Sequence, residues 1–360
     1  MRETPEGFLV PRIYVPKCVG CGVCRKVCPA ANDVPMALRK TEIVCYGGAA
    51  RLREEALSST SGGVASVLSR RIVDDGGVVV GAAFDPFPCV RHVCVEDIEG
   101  IVRLKGSKYV ESDITHALPK IREYLKNGRK VLFVGLPCQV AAVYGFLGGD
   151  SEGLYTVDLV CHGKPPQKLF SHWARMLEKM LGGRISEYKF RDKKCCDWND
   201  PDTHLHFYRL TDGRVGSVPF KTNWYGRYFL GSSSFRECCY HCQFARLPRV
   251  GDVTLADFWG AERDERFKRF TKHGLSLVAA QSEKGVELLE KAHQDLDLVS
   301  CSAEFALSCT GGLNHGSRRT VYRRFLYGFV YLSEPLRRLC DFVLFGSGKL
   351  AKMIFKGPRA

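Results

Sequence analysis

"VLFVGLPCQVAA", residues 131–142, joins a short apolar run to a proline, a cysteine and a string of small helix formers. Five apolar residues ending at Gly135 predict a buried strand, and Pro137 suits the first position of a helix. The stretch is therefore a strand–turn–helix unit with Cys138 at the turn. The same alternation extends in both directions. Upstream, "TSGGVASVLSRRIVDDGG" (60–77) places Val64, Val67, Leu68 and Ile72 at helical spacing, and "VVVGAAF" (78–84) follows as a strand. A helix is expected around 114–126. Downstream come the strand "LYTVDLV" (154–160) and the helix "PQKLFSHWARMLEKML" (166–181). Strands alternating with helices predict a parallel α/β sheet with both faces covered.

Residues 184–220 read differently. "RISEYKFRD" and "HLHFYRLTDGRVGSVPF" suggest antiparallel strands with Asp212-Gly213 in a hairpin turn, so the sheet content is mixed. "DVTLADFW" (252–259) is a further strand, and "LSLVAAQSEKGVELLEKAH" a strand–helix pair. The expected division is 1–50, rich in Cys, Gly and Pro and held by ligands rather than by a core; 51–260, an α/β domain; and 261–360, ending in a basic helical region.

With 360 residues, 45% hydrophobic and 26% charged, the chain has the composition of a folded protein of two or three units. Lys and Arg number 53 against 39 Asp and Glu, a net +14, which fits nucleic acid, an acidic membrane surface, an acidic partner or an anionic cofactor. The densest basic stretch, "SRRTVYRRFLYGFVYLSEPLRRL" (317–339), reads as an amphipathic helix with a solvated basic face, or alternatively as a peripheral membrane or partner contact. The first fifteen residues lack the apolar core of a signal peptide, and no run of eighteen apolar residues occurs. A cytoplasmic location follows as the expectation, and in a reducing compartment closely spaced cysteines argue for metal rather than disulfides.

The chain has 17 cysteines. Cys18, Cys21, Cys24 and Cys28, followed by Pro29, stand as C-x2-C-x2-C-x3-C-P, the bacterial ferredoxin run that wraps a [4Fe-4S] cube. Gly20 and Gly22 let the backbone turn tightly around sulfur. Only one copy of the run is present, so the fourth ligand is Cys28, Cys45 or a distant cysteine; a zinc knuckle is the alternative. A second group is dispersed. Cys138 and Cys161 each follow a predicted parallel strand, at the sheet edge where sites form, and "ECCYHCQFAR" adds Cys238, Cys239 and Cys242. Cys138, Cys161, Cys239 and Cys242 supply four thiolates for a second cluster. Zinc at Cys239, His241 and Cys242, a Cys138 nucleophile working with His162, and plain packing are the competing readings.

"SSTSGGVASVLS" puts hydroxyls and glycines before a helix, where the N–H groups of Gly62 and Gly63 would face a phosphate; an ordinary capped helix start is equally compatible. "LKGSKYVESD" (104–113) adds a lysine, a serine and a tyrosine beside Gly106. No G-x-G-x-x-G follows a strand, which argues against a Rossmann dinucleotide site.

Taken in order, "CVGCGVCRKVCP", "SSTSGGVAS", "GSKYVES", "FVGLPCQVAA", "DLVCHGKP", "FRDK" and "CCYHCQFARLPRVGDVTLADFWG" resemble the coenzyme F420 hydrogenase/dehydrogenase beta-subunit family of iron–sulfur flavoproteins. The resemblance implies an N-terminal ferredoxin-like segment, an α/β flavin domain with FAD, and one or two [4Fe-4S] clusters. It implies Ser61, Gly62 and Gly63 at the FAD, with Gly106, Ser107, Lys108 and Tyr109 in the same site, and it favours the second cluster at Cys138, Cys161, Cys239 and Cys242. Implied partners are a ferredoxin-like protein or a hydrogenase or dehydrogenase subunit, and a deazaflavin or other redox carrier. Asp252 and Asp257 receive no role. Many members carry two ferredoxin runs, whereas this chain has only one.

The expected activity is thus an oxidoreductase passing electrons between clusters and FAD, with hydride exchange to coenzyme F420 or another carrier or small-molecule substrate. Lys105, Lys108, Lys164 and Arg191 would hold anionic tails. The competing class is a nucleic-acid-binding protein with a structural iron–sulfur or zinc centre. Aromatic residues are not interleaved with Lys and Arg on a strand platform, so no nucleic-acid partner is expected.

Overall fold

The apolar runs at 78–80 and 131–133 lie fully buried in the centre of a sheet, as continuous hydrophobic strands covered on both faces should. The computed structural model describes residues 1–31, 43–193, 198, 204–221 and 223–331. The chain opens with β1 (Arg2–Glu3), β2 (Leu9–Val10) and α1 (Val23–Lys26), then β3 (Val44–Ala50), α2 (Arg53–Leu57) and α3 (Val64–Asp74). There follow β4 (Val78–Phe84), β5 (Val90–Val95), α4 (Ile98–Leu104), α5 (Ala117–Lys126), β6 (Val131–Gly135), α6 (Pro137–Leu147) and β7 (Leu154–Leu159). Next are α7 (Gln167–Leu181), β8 (Ile185–Asp192), β9 (Leu205–Leu210), β10 (Val215–Pro219), α8 (Trp224–Leu230) and β11 (Val253–Asp257). The last described elements are β12 (Ser276–Ala280), α9 (Glu283–Ala292), β13 (Leu296–Cys301), α10 (Ala303–Cys309) and α11 (Tyr322–Phe329).

The main sheet has eight strands in the order β13-β3-β12-β11-β7-β6-β4-β5. Its middle quartet, β11, β7, β6 and β4, is parallel, and antiparallel strands extend it on both sides. One face packs on α3, α4 and α9 through Leu68, Ile101 and Leu288; the other packs on α5 and α6 through Ile121 and Val140. The expected α/β class with a mixed sheet is what the chain forms. The antiparallel trio β8, β9 and β10 stands apart, with Gly213 in a left-handed turn between β9 and β10. Aromatic residues of α7 and α8, including Phe170, Trp173 and Trp224, fill the space beneath it.

Residues 44–50 depart from the sequence reading. They were expected to lie in a segment without a core, yet β3 pairs with both β12 and β13 inside the main sheet. The reason is steric. A Cβ on Gly48 would meet the Asp297 carbonyl oxygen of β13 at 2.2 Å, so the glycines that hide the strand pattern are what allow its neighbours to close. Strands before residue 51 and after residue 260 thus share one sheet with the central segment. At the other end, α11 and Arg323 belong to the expected basic region, while 332–360 lies outside the described residues. Among the described residues no helix is long and apolar enough to cross a membrane.

Candidate functional site

The four parallel strands end at one edge of the sheet, and a cavity of about 580 Å³ opens there. Ala82, Gly135, Leu159 and Asp257 come from the C-terminal halves of β4, β6, β7 and β11. Ligand sites in open α/β sheets form at this edge, and the volume lies in the usual range of about 300–1,000 Å³.

Six of the seven residues expected at a cofactor line this cavity: Ser61, Gly63, Gly106, Ser107, Lys108 and Tyr109. Gly62 does not. Its N–H donates to Ser276 Oγ at 2.9 Å, and a Cβ there would meet the Gly48 carbonyl oxygen at 2.5 Å. Gly62 therefore seats the loop against β3 rather than offering an outward donor. Ser61 Oγ likewise donates to Leu275 O at 2.8 Å. The two predicted loops are stitched together: Ser107 N donates to Thr60 Oγ1 at 2.8 Å, and Lys105 Nζ to Ser58 Oγ at 3.0 Å. Lys108 spends its ammonium on the last carbonyls of α4, reaching Leu104 O at 2.8 Å and Lys105 O at 2.9 Å. Burial pulls its pKa down to about 7.

The opposite wall comes from the antiparallel trio. Arg191, with a side chain only 4% exposed, donates through Nη1 to Asp257 Oδ2 at 2.6 Å and to Tyr109 OH at 3.3 Å. Among the described residues its Nε and Nη2 are buried without a hydrogen-bond partner. A buried guanidinium with two unpaired donors beside a cavity is built for an anionic or carbonyl-bearing ligand. Tyr109 stacks on Phe229 with centroids 4.6 Å apart, giving an apolar wall. His92, which sequence reasoning did not single out, also lines the cavity. Its Nε2–H donates to Val134 O at 3.2 Å, which leaves Nδ1 as an acceptor with no partner among the described residues. Burial lowers its pKa to about 4, so the ring is neutral near pH 7.

Cys161 lines the cavity too, and joins it to the dispersed cysteines. Cys138, in the first turn of α6, and Cys242 pack on one apolar cluster with Val140 and Phe244. Burial pushes the Cys161 thiol up to about 12, and nearby Cys138 and Cys242 add to the rise. Cys239 is raised by its hydrogen bond with Cys238 and by burial, with Cys161 contributing. Cys138, Cys161, Cys238, Cys239 and Cys242 thus lie near enough to act on one another's charge. Burial pulls the adjoining Lys164 down, but Cys138 and Glu111 outweigh it and hold the ammonium above its ordinary value.

A buried ion pair fixes this arrangement. Arg249 Nη2 meets Asp158 Oδ1 at 2.6 Å, with both side chains at 1% exposure or less. Arg249 also donates to Phe244 O at 2.7 Å, and Asp158 accepts from Gly251 N and Thr254 Oγ1. The pair ties the segment carrying Cys239 and Cys242 to the strand that leads into Cys161. Asp252, left without a role by the sequence, accepts from Thr156 N at 2.9 Å and Ser282 Oγ at 2.6 Å, joining β7, β11 and the start of α9.

The N-terminal run is held differently. Cys18, Cys21 and Cys24 are exposed and Cys28 is half-buried. Gly20 and Gly22 both adopt φ of 70°, as tight turning requires. Val27 packs against Gly145 of α6, and Gln243 Nε2 donates to Pro29 O at 2.8 Å. The run therefore docks beside Cys242, through Gln243, and on the C-terminal half of α6, through Gly145. Cys45 is elsewhere: it sits on β3, separated from β7 by β11 and β12, so it does not join this run. Among the described residues no three His, Cys, Asp or Glu side chains are grouped closely enough to hold a metal ion; this applies to Cys18, Cys21, Cys24 and Cys28, to Cys138, Cys161, Cys239 and Cys242, and to Cys239, His241 and Cys242 alike. His162 faces Ser232 Oγ at 3.2 Å and Ser317 Oγ at 3.4 Å, so its ring serves these serines rather than a Cys138 nucleophile.

The fold is thus an α/β scaffold with a cavity at its sheet edge and half-buried thiols beside it. Residues 128–304 match the family model for the C terminus of the beta subunit of coenzyme F420 hydrogenase/dehydrogenase. A chain of the xenon-derivatised F420-reducing [NiFe] hydrogenase complex from Methanosarcina barkeri is similar at a TM-score of 0.50 and 17% identity. The likeness covers 78% of this chain and 97% of that one, and at this identity it is a likeness of fold. A search of curated proteins finds no match.

Proposed function

We propose that the chain is an FAD- and iron–sulfur-dependent oxidoreductase subunit. One observation carries the reading: a single cavity is lined by six residues expected at a flavin and by Cys161 of the thiol group. The donor sets fit the cofactors. Half-buried thiols held above their ordinary pKa, as Cys161 and Cys239 are, stay protonated unless a positive centre joins them, and cluster iron would supply that charge. The unpaired Nε and Nη2 of Arg191 and Nδ1 of His92 offer polar contacts to a bound flavin or its anionic partner. Bound FAD couples one-electron transfer at clusters to two-electron hydride exchange.

In this reading Cys18, Cys21, Cys24 and Cys28 hold the outer cluster and Cys138, Cys161, Cys239 and Cys242 the inner one. Tyr109, Phe220 and Phe229 exclude water from the cavity, while Arg191 orients the anionic group. A hydrogenase or dehydrogenase subunit or a ferredoxin-like protein exchanges electrons at the outer run, and a deazaflavin or another carrier exchanges hydride at the cavity. The test is anoxic purification followed by iron, sulfide and flavin analysis and reductive titration against ferredoxin, nicotinamide and deazaflavin carriers. Brown protein with bound flavin and iron for one or two cubes is expected; colourless protein overturns the reading.

A further inference from the structure

Two cysteines outside the site face each other across adjacent strands. Cys45 on β3 and Cys301 on β13 are register partners in an antiparallel ladder. Arg51 N donates to Asp295 O at 2.8 Å, which marks 51 and 295 as a hydrogen-bonded pair. Counting inward along the ladder, every second pair is of this type, and Cys45–Cys301 is one of them. Cα atoms in such pairs lie about 5.5 Å apart, inside the window in which a disulfide closes. Both thiols are reduced in this structure and pack against one apolar cluster. Cys45 is 5% exposed, whereas Cys301 is half-buried on the edge strand of the sheet, so a reagent from solvent reaches Cys301 first. Cys309 is a third member of that cluster; its Sγ accepts from Arg263 Nη2 at 3.0 Å.

We propose that Cys45 and Cys301 form a reversible cross-strand dithiol–disulfide centre, separate from the cavity and the cluster cysteines. The oxidant is a small-molecule disulfide. Burial pushes the Cys301 thiol up to about 12, with Cys45 adding to the rise, so the step runs slowly through the small deprotonated fraction: the Cys301 thiolate displaces one half of that reagent as a free thiol and forms a mixed disulfide. Cys45 then attacks the Cys301 sulfur and releases the second half. One disulfide is reduced to two thiols, the Cys45–Cys301 bond is made, and the two protein protons end on the departing thiols. Opposed Cβ atoms start about 4.5–5.5 Å apart and must approach to about 3.8 Å, so the edge strand shifts inward and the bond formed is readily reduced again. Because the link closes most of the chain into one loop, it constrains the unfolded state strongly.

The experiment uses anoxically prepared full-length protein, exposed to oxidised glutathione and then alkylated for peptide mapping. The expected product is a Cys45–Cys301 linked peptide that disappears on treatment with a dithiol, with a melting temperature raised by a few degrees in the linked form. Cys301→Ser, at a half-exposed position, and Cys45→Ala should each abolish the link and the shift. A Cys301–Cys309 link, or glutathione retained on Cys301 with Cys45 still open to alkylation, would overturn the proposal. The readout is a mass, so it stands whether or not flavin and iron are found.

Discussion

The two cysteine groups of the site are held by opposite means. Cys138, Cys161, Cys239 and Cys242 are fastened by strand ends, a helix start and the buried Arg249–Asp158 pair. Cys18, Cys21 and Cys24 lie exposed on a loop shaped by left-handed glycines and tethered through Val27 and Pro29. The inner group is positioned by the fold itself. In the outer loop left-handed glycines turn the backbone tightly, but few buried contacts fix the thiols. Damage to the scaffold should therefore disable the inner group, and damage to the outer loop should leave the scaffold intact.

The largest effect should come from Arg249→Met, which leaves Asp158 charged and unpaired at 0% exposure. Breaking a buried pair costs about 3–5 kcal/mol, so the melting temperature should fall sharply and Cys239 and Cys242 should become alkylatable. An unchanged melting temperature would erase the contrast between the two groups. Arg191→Gln comes next. Loss of a charged hydrogen-bond donor at the cavity costs about 1.5–3 kcal/mol, so flavin affinity should drop on the order of tenfold to a hundredfold while iron is retained.

Acid should act on the cavity side of the comparison. His92 is held near a pKa of about 4 by burial, well below its ordinary 6.5. Above the ordinary value neither state binds the proton and its stabilising contribution is whole. As pH falls from there toward 4, the unfolded chain takes up a proton that the folded chain refuses. Stability should decline with a slope of up to about 1.4 kcal/mol per pH unit, and His92→Gln should flatten a urea-midpoint profile over this window. The smallest effect is expected for Gly22→Ala. With φ of 70° and open space around it, the added Cβ meets only backbone strain of about 1–2 kcal/mol, confined to the outer loop. Iron content should fall while the melting temperature stays within a degree or two.

Much of this was legible in residue order. The parallel strands 78–84, 131–135 and 154–159 announce themselves because burial on both faces demands unbroken apolar runs. Cys138 and Cys161 were placed at the correct sheet edge for the same reason. What escaped depends on partners distant in sequence. The glycines of β3 look like a loop until β13 is laid against them, and Gly62 looks like a donor until Ser276 takes its N–H. Asp252, Arg249 and His92 have no local signature at all, since their roles come from contacts with residues some 40 to 100 positions away. The antiparallel facing of Cys45 and Cys301 is invisible for the same reason.

The central claim is that the outer thiols and the cavity hold separate redox groups on one scaffold. Cys21→Ser, purified without oxygen beside the parent protein, tests it by the ratio of bound iron to bound flavin. The account expects iron to fall and flavin to remain at the parent level; flavin leaving together with the iron would contradict it.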